Sequence, residues 1–176
     1  MIGVVGTLVD YMLDECETHV KKWIENCSVE RQVTYYGASF TGGSCKTLLE
    51  NVNSLRSNKC LFCLKYVQTL QDFKSVVHDC FGNVLRSSYE KSIEKFKSSF
   101  LSLEVSVTPK IHAVFYHVPD FCRSVNKSLG FFSEQTTESV HHDFNETWKK
   151  YKVSKRKPIY ETRLLRAVCE YNSLHL

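Results

Sequence analysis

Glu134, Glu138, His141 and His142 hold the first chemistry that residue type and spacing suggest. On a helix, positions 134, 138 and either 141 or 142 share one face, which sets two carboxylates and an imidazole within reach of one divalent cation such as magnesium or manganese. The Glu138-x-x-His141 spacing is also that of a di-iron helix, but such a centre needs a second Glu-x-x-His pair, and the sequence has none. A solvated helix face on which Glu pairs with His remains the alternative. Upstream, His112 and His117 stand five apart among Phe115, Tyr116 and Phe121. His112 is a candidate to hydrogen-bond or ligate beside Glu138 if the two helices pack antiparallel.

Cys60-x-x-Cys63, followed by His78-Asp-Cys80, supplies four soft ligands suited to a tetrahedral zinc ion. The competing account is four core or boundary residues, since Cys60 and Cys63 fall in an apolar helical stretch where a reduced thiol packs as a small hydrophobe. The chain has eight cysteines and three Asn-x-Ser/Thr sequons, at Asn26, Asn126 and Asn145. These would suit a secreted protein, but the apolar opening Met1–Val9 has no basic residue before it and is cut short by Asp10, so a secretory signal is not expected. Reduced thiols in an intracellular protein are the expectation. Gly37 to Thr47 suggests a phosphate loop at first sight. The spacing fails, because Cys45 and Phe40 occupy the two places where a Walker loop needs glycine.

Lys149, Lys150, Lys152, Lys155, Arg156 and Lys157 put six cations into nine positions with Tyr151 between them and no acid among them. That is the composition of a nucleic-acid phosphate contact or a nuclear import signal, and equally of a solvated connection between helices. The net charge of +4 is too small for a surface built wholly around polyanions. The acids gather in the first thirty residues, where six of them face Lys21 and Lys22.

The elements that must position these groups are helices. Only 7 Gly and 3 Pro interrupt 176 residues, too few for the turns of a many-stranded fold. Apolar residues recur at helical spacing over 4–27, from Cys45 to Val52, from Leu61 to Phe81, and from Val84 to Leu101. Further stripes run from Ile111 to Phe121, where Pro119 should kink or end the helix, from Glu134 to Tyr151, and from Pro158 to Tyr171 through Ile159, Leu164, Leu165 and Val168. Thr41 or Ser44 and Thr108-Pro109 are N-cap signals. Residues 32–36 form at most a short extended piece, followed by a loop from Gly37 to Gly43. The expectation is a mainly α bundle of about seven helices, with regions 1–105 and 106–176. No stretch is long and apolar enough for a membrane helix, so no membrane partner is expected.

Two blocks carry a family resemblance. Tyr35-Tyr-Gly-Ala-Ser-Phe-Thr-Gly-Gly-Ser-Cys-Lys-Thr-Leu-Leu49 and Lys110-Ile-His112, together with Leu129-Gly-Phe-Phe-Ser-Glu-Gln135, Glu138-Ser-Val-His141 and the tail from Trp148 through Tyr171-Asn-Ser-Leu-His175, resemble uncharacterised metazoan proteins of mobile DNA elements. Those proteins are similar to DDE-type transposases, whose RNase H-like core holds two metal ions with three carboxylates and is interrupted by a helical insertion. The resemblance implies that 1–105 corresponds to the insertion and 106–176 to the end of the catalytic core, with Glu138, or else Glu134, as the last acid. The other two acids should stand on strands that this sequence lacks, which implies a catalytically incomplete fragment or remnant product, with Met1 an internal start. A nuclear, nucleic-acid-binding or partner-binding protein follows from that resemblance. The alternative from another class is an intracellular helical protein-interaction module, zinc-stabilised and without enzymatic activity. A third reading is an intact nuclease using Glu134, Glu138, His141 and His112.

Overall fold

The computed structural model describes residues 2–34, 37–58, 60–132, 143–154 and 156–175. They are mainly helical, as the apolar periodicity predicts. The chain divides into two compact units, Met1–Phe131 and Phe132–Leu176.

In the first unit, α1 (Ile2–Asn26) buries the stripe Val5, Leu8, Val9, Met12, Val20 and Trp23. Its backbone leaves the helical region at Cys16 (φ −154°, ψ 71°), so the helix is two segments meeting at a kink. A hairpin of β1 (Gln32–Thr34) and β2 (Gly37–Ser39) follows, with Gln32 opposite Ser39. Gly37–Ser39 is therefore a second strand rather than part of a loop. Thr41 caps α2 (Gly42–Glu50), its Oγ1 accepting the amide of Ser44 at 3.1 Å, and a 3-10 turn (Val52–Asn58) leads onward.

The central element is α3 (Leu61–Cys80), which packs against α1, α2, the 3-10 turn and α4 (Tyr89–Leu101). The helix of α4 begins later than the apolar pattern suggests. Val84 is 72% exposed, and residues 81–88 form a connection in which Arg86 N–H donates to the Asp79 carbonyl. The segment from Pro109 runs as α5 (Pro109–His112), a π turn (Ala113–His117) and α6 (Val118–Val125). Proline has no N–H to give to the preceding turn, and the widened π turn lies directly before Pro119. Thr108 flanks α5 in cap conformation, but its hydroxyl is buried and has no partner among the described residues. Phe96 joins these layers, with ring centroids 4.9 Å from Phe73, 6.0 Å from Phe100 and 5.5 Å from Phe115. Phe115 and Ile111 are thus core residues of the first unit, which extends to Phe131. Gly130 is required by close approach. A Cβ there would lie 2.3 Å from the Gly82 carbonyl oxygen.

The second unit contains α7 (143–149) and α8 (Tyr160–His175). Trp148 meets Tyr160 edge-on at 5.8 Å, Phe144 meets Tyr171 at 5.7 Å, and Ala167 is fully buried. Ile159, Leu165 and Val168 are exposed instead of forming the expected core face, because the small Ala167 occupies the buried position. No helix among the described residues is long and apolar enough to cross a membrane.

Candidate metal centre

The kink in α1 and the start of α3 build one cluster. Non-helical backbone at Cys16 departs from the regular ladder, and His19 stands three residues later. Cys60 is the N-cap of α3, in extended conformation (φ −78°, ψ 111°). Cys16 Sγ lies 3.0 Å from His19 Nδ1 and 3.4 Å from Cys60 Sγ, and the three ligand atoms all fall within 4.8 Å of one another. Cys60 is buried, Cys16 half-buried and His19 exposed. Cys63, one turn into α3, is buried on the same end of the helix, outside the group of three, and its thiol is raised by those of Cys60 and Cys16.

A second connection holds this register. Glu15, next to the kink, accepts a hydrogen bond from Tyr66 OH at 2.7 Å and pairs with Lys65 Nζ at 2.7 Å. Burial raises the Glu15 carboxyl, but the hydrogen bonds from Lys65 and Tyr66 outweigh it and hold the group below its ordinary range. Burial raises the Tyr66 hydroxyl, and the Glu15 carboxylate raises it further. The sequence neighbours of the sulfur ligands therefore fasten α1 to α3 independently of the sulfurs.

The electrostatics divide the thiols. The amide of Cys63 at the start of α3 leads in lowering the Cys60 thiol, helped by the Cys16 and Cys63 thiols and the Phe62 amide against burial. Burial pushes Cys63 up to about 12, with Cys60 and Cys16 adding to the rise. Tetrahedral zinc with bonds of about 2.3 Å to sulfur and 2.0–2.1 Å to nitrogen places its ligand atoms roughly 3.5–3.8 Å apart. The Cys16–His19 and Cys16–Cys60 separations fall about half an ångström or less short of those values, and the three residues together could hold a metal ion.

The expected zinc set is corrected in its downstream members. Cys60 belongs to the cluster and Cys63 follows one turn into α3, but His78 and Cys80 sit on the same helix, fifteen and seventeen residues beyond Cys63. A rise of 1.5 Å per residue puts them about 22–26 Å away. His78 Nδ1 instead lies 3.0 Å from Asp79 Oδ1, and Cys80 is buried beside Cys122. Cys16 and His19 are the cluster members that the sequence reading missed. Their Cys-x-x-His spacing was the available signal, masked because Cys16 also fits the apolar stripe of α1.

Glu134, Glu138, His141 and His142 lie outside the described residues. His112 and His117 flank the π turn with ring centroids 5.3 Å apart, both exposed, and His112 also meets Tyr116 at 4.7 Å. Within the basic run, Lys149 pairs with Glu146, and Lys150 pairs with Glu170 at 2.6 Å. Tyr151 also donates to Glu170. Lys152, Arg156 and Lys157 are exposed and make no ion pair with any described residue, while Lys155 lies outside the description. No protein-family model, curated protein or solved structure matches the chain.

Proposed function

We propose that the chain is a helical interaction module stabilised by a soft metal ion and without enzymatic activity. One observation carries this reading: two sulfurs and an imidazole from distant parts of the sequence converge where the α1 kink meets the N-terminus of α3. An ion there ties two core helices together, and its binding free energy becomes folding free energy because the unfolded chain has no preformed site. The test is metal analysis of the purified, reduced protein with thermal unfolding before and after chelation. About one equivalent of zinc and a lower Tm after chelation are expected. Background metal and an unchanged Tm would overturn the reading.

A second reading is favoured by Lys152, Arg156 and Lys157, whose charges have no carboxylate partner among the described residues. It is phosphate contact with nucleic acid, without sequence preference. Pairing of Lys149 and Lys150 with glutamates reduces the cations available for it. Binding to a labelled DNA duplex should weaken with salt, and Lys152, Arg156 and Lys157 changed together to Ala should flatten the slope. Absence of binding at low salt would exclude this contact. Descent from a mobile-element transposase, with an incomplete magnesium or manganese site at Glu138 and a nuclear location, goes with this second reading and rests on the sequence blocks quoted above.

A further inference from the structure

We infer that Cys63 is the fourth ligand of the cluster, and that the site is a closed tetrahedral zinc(II) centre formed by Cys16, His19, Cys60 and Cys63. The inference rests on the metal-stabilised reading and specifies its ion and its coordination.

Helix geometry supplies the first argument. Cys60 is the N-cap of α3 and Cys63 its third helical residue, so both side chains stand at the same end of the helix, one turn apart. Leu61 and Phe62 between them are 80% and 59% exposed, so the intervening residues turn outward while both thiols turn inward. In the α1 half Glu17 and Thr18 are exposed between Cys16, which is half-buried, and His19, which stands at the exposed rim of the cluster. A Cys-x-x-His pair and a Cys-x-x-Cys pair, each presented by a helix segment, meet face to face.

The donor set then selects the ion. Three sulfurs and one imidazole nitrogen are poor ligands for magnesium and calcium, which take oxygen, and are a regular structural set for zinc. The contact between Cys16 Sγ and His19 is made through Nδ1, which identifies that nitrogen as the ligand atom. Metal entry displaces the thiol protons. Four protein ligands fill the tetrahedron and leave no position for water or substrate, which separates this centre from a hydrolytic one.

The test is cobalt(II) titration of the full reduced chain, followed by zinc competition, for wild type, Cys63→Ser, Cys63→Ala and Cys80→Ala. Wild type should take up one equivalent with the intense visible absorption of tetrahedral cobalt and a sulfur-to-cobalt charge-transfer band. Both Cys63 variants should lose about a third of that band, as expected for one of three sulfurs, and bind zinc at least tenfold more weakly. Cys80→Ala, which removes a buried thiol elsewhere, should leave the spectrum unchanged. If wild type binds cobalt but the Cys63 variants keep the full band and affinity, the fourth-ligand assignment fails while the metal-stabilised reading stands. If wild type binds neither metal, both fail. X-ray absorption of the wild-type zinc form needs no variant to fold. Three sulfurs at about 2.3 Å and one nitrogen at about 2.0 Å are expected, and two sulfurs with added oxygen would overturn the assignment.

Discussion

The two ends of α3 carry nearly the same residue types and meet opposite fates. At its N-terminus Cys60 faces Cys16 and His19, and the two sulfurs find each other and an imidazole. At its C-terminus Asp79 is buried, yet its carboxylate accepts hydroxyls from Ser88 and Ser92 at 2.7 Å each and lies 3.0 Å from His78 Nδ1. Cys80 there is fully buried, and burial, with Cys122 and Asp79 beside it, pushes its thiol up to about 12. The difference lies in what the neighbouring element brings. A kinked helix delivers soft ligands to one end, whereas the connection into α4 and its first turn deliver hydroxyls to the other. Cysteine and histidine can hold a metal ion only where their donor atoms are left to each other.

The sharpest break between the two ends should come from Cys60→Ser set against Cys80→Ser. The first should abolish stoichiometric zinc and the stabilisation it brings, about 4 kcal/mol at free zinc a thousandfold above Kd. The second should retain zinc and lose only about 1–3 kcal/mol, the effect of a hydroxyl in an apolar site. Denaturant unfolding with metal analysis on the same samples reads both. Loss of zinc in Cys80→Ser would erase the distinction. Next in size is Asp79→Ala, which strands the Ser92 hydroxyl in a buried site. It should cost about 2–3 kcal/mol with metal content unchanged.

Much of the fold was legible because burial follows helical periodicity closely in α1, α3 and α4. The Thr41 cap and the disturbance before Pro119 were legible for equally local reasons. The kink at Cys16 was not, since cysteine is no helix breaker and sits on the apolar stripe. The start of α4 was misplaced because Val84 fits the stripe in sequence but points to solvent, in a segment held by the Arg86 to Asp79 backbone hydrogen bond. The site was half legible. Cys60-x-x-Cys63 announces a ligand pair, but its partner was sought at the nearest downstream Cys and His, which share its helix. Tertiary packing of α1 on α3 selects a pair 41 residues upstream of Cys60, and spacing alone cannot rank partners across that distance.

Acid should separate the ends by a different route. Burial raises the Asp79 carboxyl, but hydrogen bonds from Ser88, Ser92 and His78 outweigh it and hold the group below its ordinary value of 3.8. A carboxylate depressed in the folded state contributes stability that is complete above its unfolded value. That contribution is lost as pH falls through the folded one. Metal-free wild type should therefore lose stability below about pH 4 more steeply than Asp79→Asn, read as midpoint against pH in denaturant unfolding. Parallel curves would show that the serines do not hold the charged form.

The smallest effect should come from His78→Ala, and it is informative because His78 completes the Cys60, Cys63 and Cys80 set that sequence proximity favours. Its ring is largely exposed, and Asp79 keeps both serine hydroxyls without it. The stability change should be no more than about 0.5 kcal/mol, the scale of an exposed ion pair. Zinc content and the cobalt spectrum should match wild type, whereas His19→Ala should remove the nitrogen ligand and weaken zinc binding at least tenfold. Equal losses in the two variants would mean that His19 does not act through direct ligation, since α3 holds His78 too far from Cys60 to reach the same ion.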